Sequence, residues 1–325
     1  MPGRTVAKLA TVTAVVAASV LTVAPTAHAD LVTHCIGTGG AVTVPNDLYV
    51  PAGESCALTG TTITGNVTVA AGGNLVVTGG KISGEVRVSA DGYLDATETT
   101  VDGQVVLAAG GYGIFLKDAR TGTVTVRPKG SATIDSFLFA EESTVAGNVT
   151  VGAGEVRLDR GTQVERNLSS TGTYYTDLHD SFVDGTLSVL NSATGSVVCG
   201  SAVRGKATFA GNLGGVQVGP NGGLDSCASG GYWGADVSIT STTGGVTVDD
   251  NIINGQLTVT GNDPVAQVAA NNRIRGGVTG DQAAATTNRA ARVAAPDRED
   301  AGDQRAEVRR TSAVQEATEA GAAKL

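Results

Sequence analysis

Residues 65–88 read GNVTVAAGGNLVVTGGKISGEVRV, and this stretch decides the fold because its opening pentapeptide returns in related form after 19 positions. Related units of the type Gly-x-Val-x-Val start at Gly65, Gly84, Gly103, Gly122, Gly147, Arg166, Gly185, Gly205, Ala235 and Gly255. Their successive spacings are 19 or 20 residues, with two exceptions of 25 and 30. A nearly constant period of this length indicates stacked structural repeats.

Each unit alternates apolar and polar residues, as in Val67, Thr68 and Val69, which is typical of a strand with one buried face. Shorter apolar pieces such as Leu75–Val77 lie between Gly-rich corners. One period has no room for these strands and a helix as well. We therefore predict an all-β fold, a parallel β-helix (solenoid) over residues 30–280, with about three strands in each of about a dozen turns.

The composition excludes several other classes of protein. The chain has 325 residues, of which 46 are Gly, with 16% charged and 4% aromatic residues. The charge is too low for a coiled coil, the aromatic content is too low for a typical large-cored enzyme, and the Gly residues lack the spacing of collagen.

The first 29 residues have the pattern of a secretory signal peptide. A basic start at Arg4 and Lys8 precedes an apolar stretch, and Ala27-His28-Ala29 is typical of a cleavage site. The apolar stretch is shorter than a membrane span, and no later segment is long enough to be one. We therefore expect a secreted, extracellular protein, either free or associated with the cell wall.

The four Cys residues form two near pairs, which in an exported chain predicts the disulfides Cys35–Cys56 and Cys199–Cys227. Without the signal peptide, 20 basic and 31 acidic residues remain, a net charge of −11. A surface of this charge is a poor partner for nucleic acid. We assign no cofactor, and the oligomeric state is open.

Residues 281–325 are rich in Ala, Arg and Glu and contain few large apolar residues. We expect a disordered or partly helical tail, either merely solvated or acting as an arm that associates with the wall or with a partner.

Two segments, Cys56–Val86 and Val248–Gly280, resemble the repeats of secreted actinobacterial proteins that are rich in Gly, Thr and Val and have no assigned activity. Bactofilin-type polymer-forming rods are similar in rung length and in their lack of aromatic residues. This chain departs from the bactofilin type by its export signal and its Cys pairs. Neither resemblance implies a catalytic residue.

The most reactive-looking polar cluster is Asp177, His179 and Asp180. These residues have metal or acid–base chemistry available to them, but a polar corner is the plainer interpretation, so no metal site is assigned. β-Helix folds often carry polysaccharide lyases and hydrolases, whose chemistry needs convergent carboxylates. The carboxylates considered are Asp91, Asp95, Glu98, Asp102, Asp249 and Asp250.

Tyr232 and Trp233 form a candidate glycan contact, because an exposed aromatic pair can stack on a sugar face. The alternative is a lid that packs over an irregular turn. The sequence also predicts one outward column: Thr68, Arg87, Val106, Thr125, Thr150, Ser169, Ser188, Thr208, Ser238 and Thr258. Its companion column is mixed and charged, so we do not expect a surface that matches a crystal lattice.

Together these observations predict a secreted, non-catalytic structural or cell-surface-associated protein, with cell-wall or extracellular polysaccharide as the candidate partner. The alternative is a carbohydrate-active module that binds, cleaves or hydrolyses polysaccharide.

Overall fold

The computed structural model describes Met1, Gly3, residues 31–284 and residues 298–325, with the backbone alone for 298–300. Apart from Met1 and Gly3, the predicted signal peptide lies outside the described residues. In the described part of the chain, no helix is both long and apolar enough to cross a membrane.

Three parallel sheets form the predicted solenoid, with one strand from each sheet in nearly every turn. Sheet 1 contains Val32–His34, Asp47–Val50, Val67–Val69, Val86–Val88, Val105–Leu107, Val124–Val126, Val149–Val151, Leu168–Thr171, Leu187–Leu190, Ala207–Ala210, Val237–Thr240, Leu257–Thr260 and Val278–Gly280. Sheet 2 contains Gly37–Gly39, Ser55–Thr59, Asn74–Thr78, Tyr93–Thr97, Gly113–Lys117, Phe137–Glu141, Glu155–Asp159, Tyr175–His179, Gly195–Cys199, Gly215–Val218, Val246–Val248, Ala266–Val268 and Gln282–Ala284. Sheet 3 contains Thr43–Val44, Thr62–Ile63, Lys81–Ile82, Thr100–Val101, Arg120–Thr121, Thr144–Val145, Gln163–Val164, Phe182–Val183, Ala202–Val203, Tyr232–Trp233, Ile252–Ile253 and Arg273–Ile274. The predicted parallel β-helix is therefore confirmed.

The register of the strands follows the sequence period. In sheet 1, Val86 lies opposite Val67 on one side and Val105 on the other, and all three are buried. Stacked Val, Leu and Ile side chains from the three sheets form one continuous core. Each turn covers the apolar face of its neighbours, so the core depends on stacking rather than on any single turn.

The corner that follows most sheet 2 strands has a residue in the left-handed backbone conformation. Gly60 and Gly79 occupy it in early turns with φ of 69° and 64°. Several later turns place Asp or Glu there, as at Glu98 and Asp180, with φ of 50° and 46°, and others place Arg160 or Gly200 there. Gly adopts this conformation freely, and Asp tolerates it because its short side chain bonds locally.

Buried hydroxyl groups line the turn next to this corner. The side chains of Thr99, Ser143, Thr162, Ser181 and Ser201 are buried and donate hydrogen bonds to backbone carbonyl groups. These bonds satisfy polar groups inside the corner that water cannot reach.

A helix, α1, spans Arg298–Ala320. This helix lies within the segment expected to be a disordered or partly helical tail, of which residues 285–297 lie outside the described residues. Its buried positions include a stripe of small residues: Gly302, Ala306, Ala313 and Ala317. Small side chains allow close packing, and a Cβ atom at Gly302 would lie 3.1 Å from Cζ of Phe139. Sequence hydropathy misses such a helix because no large apolar side chain marks its buried face.

Helix α1 lies along the outer face of sheet 2 towards the first turn. Asp303 pairs with Arg157, whereas Gly321 contacts Thr38, six strands away. The intervening helix is about 27 Å long at about 1.5 Å per residue, and six strand spacings amount to about 29 Å. Helix and sheet therefore match in length over this distance.

The residues after α1 close the first strand of sheet 2. The Thr38 amide donates to the Gly321 carbonyl at 2.8 Å, and the Ala323 amide donates to the Thr38 carbonyl at 2.8 Å. Ala322 forms a parallel bridge with Thr38. A strand edge that would otherwise be free to pair with another chain is thus covered along this stretch.

Both predicted disulfides are confirmed. Cys35–Cys56 links the first two turns, and Cys199–Cys227 ties an insertion, residues 219–231, to the end of the sheet 2 strand Gly195–Cys199. The two unusual repeat spacings correspond to loops around residues 127–136 and 219–231. Each loop approaches the outer face of sheet 2, where Arg305 of α1 donates to the Asp135 carbonyl and Leu224 packs near Tyr175.

Candidate functional site

The outer face of sheet 2 is the covered face of the solenoid. Alternate residues of a strand point outward, and on sheet 1 outward residues such as Thr150 are exposed. On sheet 2, α1 covers the early strands and the 219–231 loop covers later ones. Charged side chains that would be solvated on another face are therefore partly or wholly buried here.

One group of side chains lies beside the 219–231 loop, and we call Asp177, His179 and Asp225 the Asp–His–Asp cluster. Asp177 and His179 are two residues apart on the strand Tyr175–His179, so both face outward. His179 Nε2 lies 2.9 Å from Asp177 Oδ1 and 3.3 Å from Asp225 Oδ2. One imidazole nitrogen is thus flanked by carboxylate oxygens from two different segments.

The position of Asp225 is set by its loop. Its amide donates to Gln217 Oε1 at 3.1 Å, and its carbonyl accepts from Gln217 Nε2 at 2.8 Å. Gln217 is itself buried in sheet 2. The Cys199–Cys227 disulfide adds a covalent link, because Cys199 is the neighbour of His179 in the register of sheet 2.

The electrostatics of the cluster favour a charged imidazole. Burial alone would lower the pKa of His179, but Asp177 and Asp225 outweigh it and raise that pKa to about 10. Burial raises the pKa of Asp177, and its contact with His179 opposes the rise. At neutral pH His179 is an imidazolium, so in this state it cannot accept a proton as a general base.

Of the predicted polar cluster, Asp177 and His179 are in contact, whereas Asp180 is not part of the group. Asp180 is exposed and occupies the left-handed corner after the strand, so it is a corner residue and not part of the cluster. Asp225 takes its place and was missed by the sequence analysis. A signal was available, since the predicted Cys199–Cys227 disulfide brings the insertion containing Asp225 to the strand beside His179.

The predicted aromatic pair does not form a stacking platform. Trp233 is fully buried, packs edge-on against Phe209 and donates from Nε1 to Asn251 Oδ1 at 3.0 Å. Tyr232 is 43% exposed on the opposite face of the same strand. Trp233 is therefore a core residue, which corrects its candidate role as a glycan contact, whereas Tyr232 retains an accessible ring.

A second charged group is covered by α1. Arg157 pairs with Glu141, Asp159 and Asp303, and its guanidinium lies 4.4 Å from the centre of the Phe139 ring. Glu141, Asp159 and Phe139 belong to sheet 2, and Asp303 belongs to α1. The pairing therefore fixes the helix on the sheet through a buried cation whose charge is compensated.

The candidate carboxylates of a lyase or hydrolase are dispersed. Asp91 and Glu98 occupy left-handed corners at opposite ends of the strand Tyr93–Thr97. Asp95 is buried under α1, accepts from Tyr93 Oη at 2.9 Å and pairs with Arg310 at 3.2 Å. Asp102 pairs with Lys81 on the surface.

The later pair of candidate carboxylates is separated in the same way. Asp249 is buried and accepts a hydrogen bond from Asn221, whereas Asp250 occupies a left-handed corner. Each candidate carboxylate is thus accounted for by a local structural role.

A cavity of about 380 Å³ lies between α1 and sheet 2. It is lined by Asp95, Phe115, Lys117, Glu141, Arg160, Asp303 and Glu307, among others. Lys117 and Arg160 both pair with Glu141, so these two cations on its wall are already partnered.

Comparison with protein families, with curated proteins and with solved structures gives no match. The fold and the contacts described above therefore carry the functional argument.

Proposed function

We propose that this chain is a secreted, non-catalytic structural protein, associated with the cell surface through wall or extracellular polysaccharide. The observation that carries the proposal is the continuity of the scaffold. In each of the three sheets, the strands between Val32 and Ala284 are stacked in the order in which they occur in the chain. The C-terminal residues of the same chain then close the first strand of sheet 2.

The most reactive-looking side chains support a non-catalytic role. The imidazole of His179 is held as a cation between two carboxylates, and the candidate catalytic carboxylates are engaged at corners, in ion pairs or under α1. A structural rod needs its side chains partnered in this way, whereas a catalyst needs an acid or base that is free to exchange its proton.

Two disulfides and the signal-like N-terminus support secretion, since disulfides form and persist in oxidising compartments. The negative net charge supports a partner other than nucleic acid. These features also agree with the secreted Gly/Thr/Val-rich repeat proteins that the sequence resembles, and we propose the same class for this chain.

The test begins with the full-length chain expressed in a bacterium that exports it. N-terminal sequencing of the protein from the medium is expected to find Asp30 first. The purified protein is then co-sedimented with isolated cell walls and with insoluble polysaccharides, and the supernatant is assayed for new reducing ends and unsaturated sugars.

Pelleting without sugar release is the expected result. Tyr232→Ala tests the remaining aromatic contact, and Tyr174→Ala is a matched control because the two rings are 43% and 47% exposed. Sugar release would replace the proposal with the carbohydrate-active alternative. A chain that stays in the supernatant with every wall and polysaccharide would contradict the association with the cell surface.

A further inference from the structure

We propose that the Asp–His–Asp cluster is a binding site for a divalent transition-metal ion, with Zn²⁺ as its representative. The ligands are Asp177 Oδ1, His179 Nε2 and Asp225 Oδ2. This site is independent of the proposed structural role and of any polysaccharide partner.

The spacing of the three ligand atoms suits one small ion. They all lie within 4.8 Å of one another, and His179 Nε2 is 2.9 Å and 3.3 Å from the two oxygens. A tetrahedral ion with ligands at about 2.0–2.2 Å separates those ligands by roughly 3.4 Å. Coordination therefore requires the His179 Nε2 proton to be released to solvent and the two nitrogen–oxygen distances to open by about 0.1–0.5 Å.

Hydrogen bonding within the cluster is incomplete, which is a second and independent observation. Asp177 is 4% exposed, yet among the described residues neither its Oδ1 nor His179 Nε2 makes a hydrogen bond of acceptable geometry, although the two atoms are 2.9 Å apart. Buried polar atoms are normally hydrogen-bonded. An ion placed between these atoms would satisfy both of them.

The third ligand is held in place before any ion arrives. Gln217 binds both the amide and the carbonyl of Asp225, and Cys227, two residues further on, is linked to Cys199 beside His179. Fixing a ligand by such contacts lowers the conformational cost of binding. Gln217 is therefore a positioning residue for the site.

The donor set selects the class of metal. An imidazole nitrogen with two carboxylate oxygens suits Zn²⁺ and neighbouring transition metals, whereas Ca²⁺ and Mg²⁺ take oxygen ligands throughout. The side chains of His179 and Asp225 are 27% and 28% exposed. The site is thus open to solvent on one side, where water completes the coordination of the ion.

The neighbouring cation does not oppose this assignment. Arg157 lies opposite Asp177 in the register of sheet 2. It pairs with Glu141, Asp159 and Asp303, so its positive charge is already compensated. Two carboxylates therefore remain to offset the charge of a divalent ion.

The test uses the full secreted chain, first treated with a chelator and then titrated with Zn²⁺ by isothermal calorimetry at neutral pH. We expect one ion per chain with micromolar or tighter affinity. Asp225→Asn and His179→Gln are each expected to weaken binding by at least tenfold, because each removes one ligand. Asp180→Asn is the matched control and should change the affinity by less than twofold, since Asn also tolerates the left-handed corner.

A second readout identifies the ligands directly. Co²⁺ binding is expected to give visible absorption bands typical of low coordination number, and the His179 ring signals in NMR should shift on Zn²⁺ addition. Circular dichroism confirms that each variant is folded, and Asp225 lies in a surface loop, so its replacement leaves the solenoid intact. No Zn²⁺ binding up to 1 mM, binding that is unchanged in both ligand variants, or binding of Ca²⁺ in preference to Zn²⁺ would each overturn the proposal.

Discussion

At the residue scale, His179 makes the stability of the metal-free protein depend on pH. Its pKa is about 10 in the folded chain, against an ordinary value of 6.5. A raised folded pKa means that the ion pair stabilises the fold fully below about pH 6.5 and loses this contribution as the pH rises towards 10. We expect a loss on the order of 2 kcal/mol over this range, after allowance for solvent screening.

Urea unfolding in the presence of a chelator measures this effect in the native protein and in His179→Gln. The native protein should be the more stable at pH 6, and the two unfolding midpoints should converge at pH 10. All four Cys residues are in disulfides, so no free thiol is present to exchange at high pH. If the difference in stability between the two proteins stays constant from pH 6 to pH 10, the charge of the His179 imidazolium does not contribute to the stability of the fold.

Trp233 and Tyr232 are neighbours with opposite roles, and a pair of variants separates them. Trp233→Ala removes a fully buried ring that packs on Phe209, so we expect a loss of about 3–5 kcal/mol in the free energy of unfolding. Tyr232→Ala removes an exposed ring and should cost about 0.5 kcal/mol or less. Equal losses in denaturant titrations would contradict the assignment of these faces.

The sequence period carries enough information to predict which residues face outward in the described strands. The predicted column from Thr68 to Thr258 is the observed one, residue by residue. The same alignment pairs Trp233 with Val203, an inward-facing position of the repeat. The burial of Trp233 could therefore have been predicted from the repeat. The repeat could not give the position of Asp225, because this residue lies in an insertion that has no repeat to align with. The predicted Cys199–Cys227 disulfide places the insertion near His179 but does not fix the path of its chain.

At the element scale, α1 shows why a helix without large apolar residues can still dock. Its buried stripe consists of Gly and Ala, and it contacts a sheet face that supplies the aromatic side chains itself, among them Tyr93, Phe137 and Phe139. Arg305 and Arg309 add cation–π contacts with Phe137 and Tyr112. Composition alone could not predict this helix, because the apolar area lies on the sheet.

The buried stripe predicts a difference between two substitutions in the last turn of α1. Ala317→Glu places a carboxylate at a fully buried position, whereas Ala320→Glu places it at an exposed position in the same last turn. We expect Ala317→Glu to undock the end of the helix and to speed amide exchange there, and at Gly37–Gly39, by about tenfold or more.

Hydrogen exchange measured by mass spectrometry resolves these segments. Ala320→Glu should exchange like the native protein, which controls for the unfavourable charge at a helix C-terminus. If Ala317→Glu also leaves the exchange of α1 and the first strand of sheet 2 unchanged, the helix does not depend on the buried stripe for its docking.

At the scale of the whole molecule, stability is a sum of contributions from neighbouring turns. The two disulfides stabilise different parts of the stack of turns. Cys35–Cys56 joins the first turn to the second, next to the strand that Gly321 and Ala323 close. Cys199–Cys227 joins an insertion to a strand in the middle of the ladder, where neighbouring turns are stacked on both sides.

Removing each disulfide should therefore have a different spatial effect, even where the loss of stability is similar, at about 2–5 kcal/mol. In the double variant Cys35→Ala with Cys56→Ala, we expect faster amide exchange at Gly37–Gly39, Ser55–Thr59 and the end of α1, with the middle of the ladder unchanged. In Cys199→Ala with Cys227→Ala, we expect faster exchange in residues 219–231 and weaker Zn²⁺ binding, because the loop that carries Asp225 then loses its covalent link to the strand beside His179. Exchange that rises uniformly along the ladder in either double variant would mean that the solenoid unfolds as one cooperative unit, and that its turns do not contribute separately.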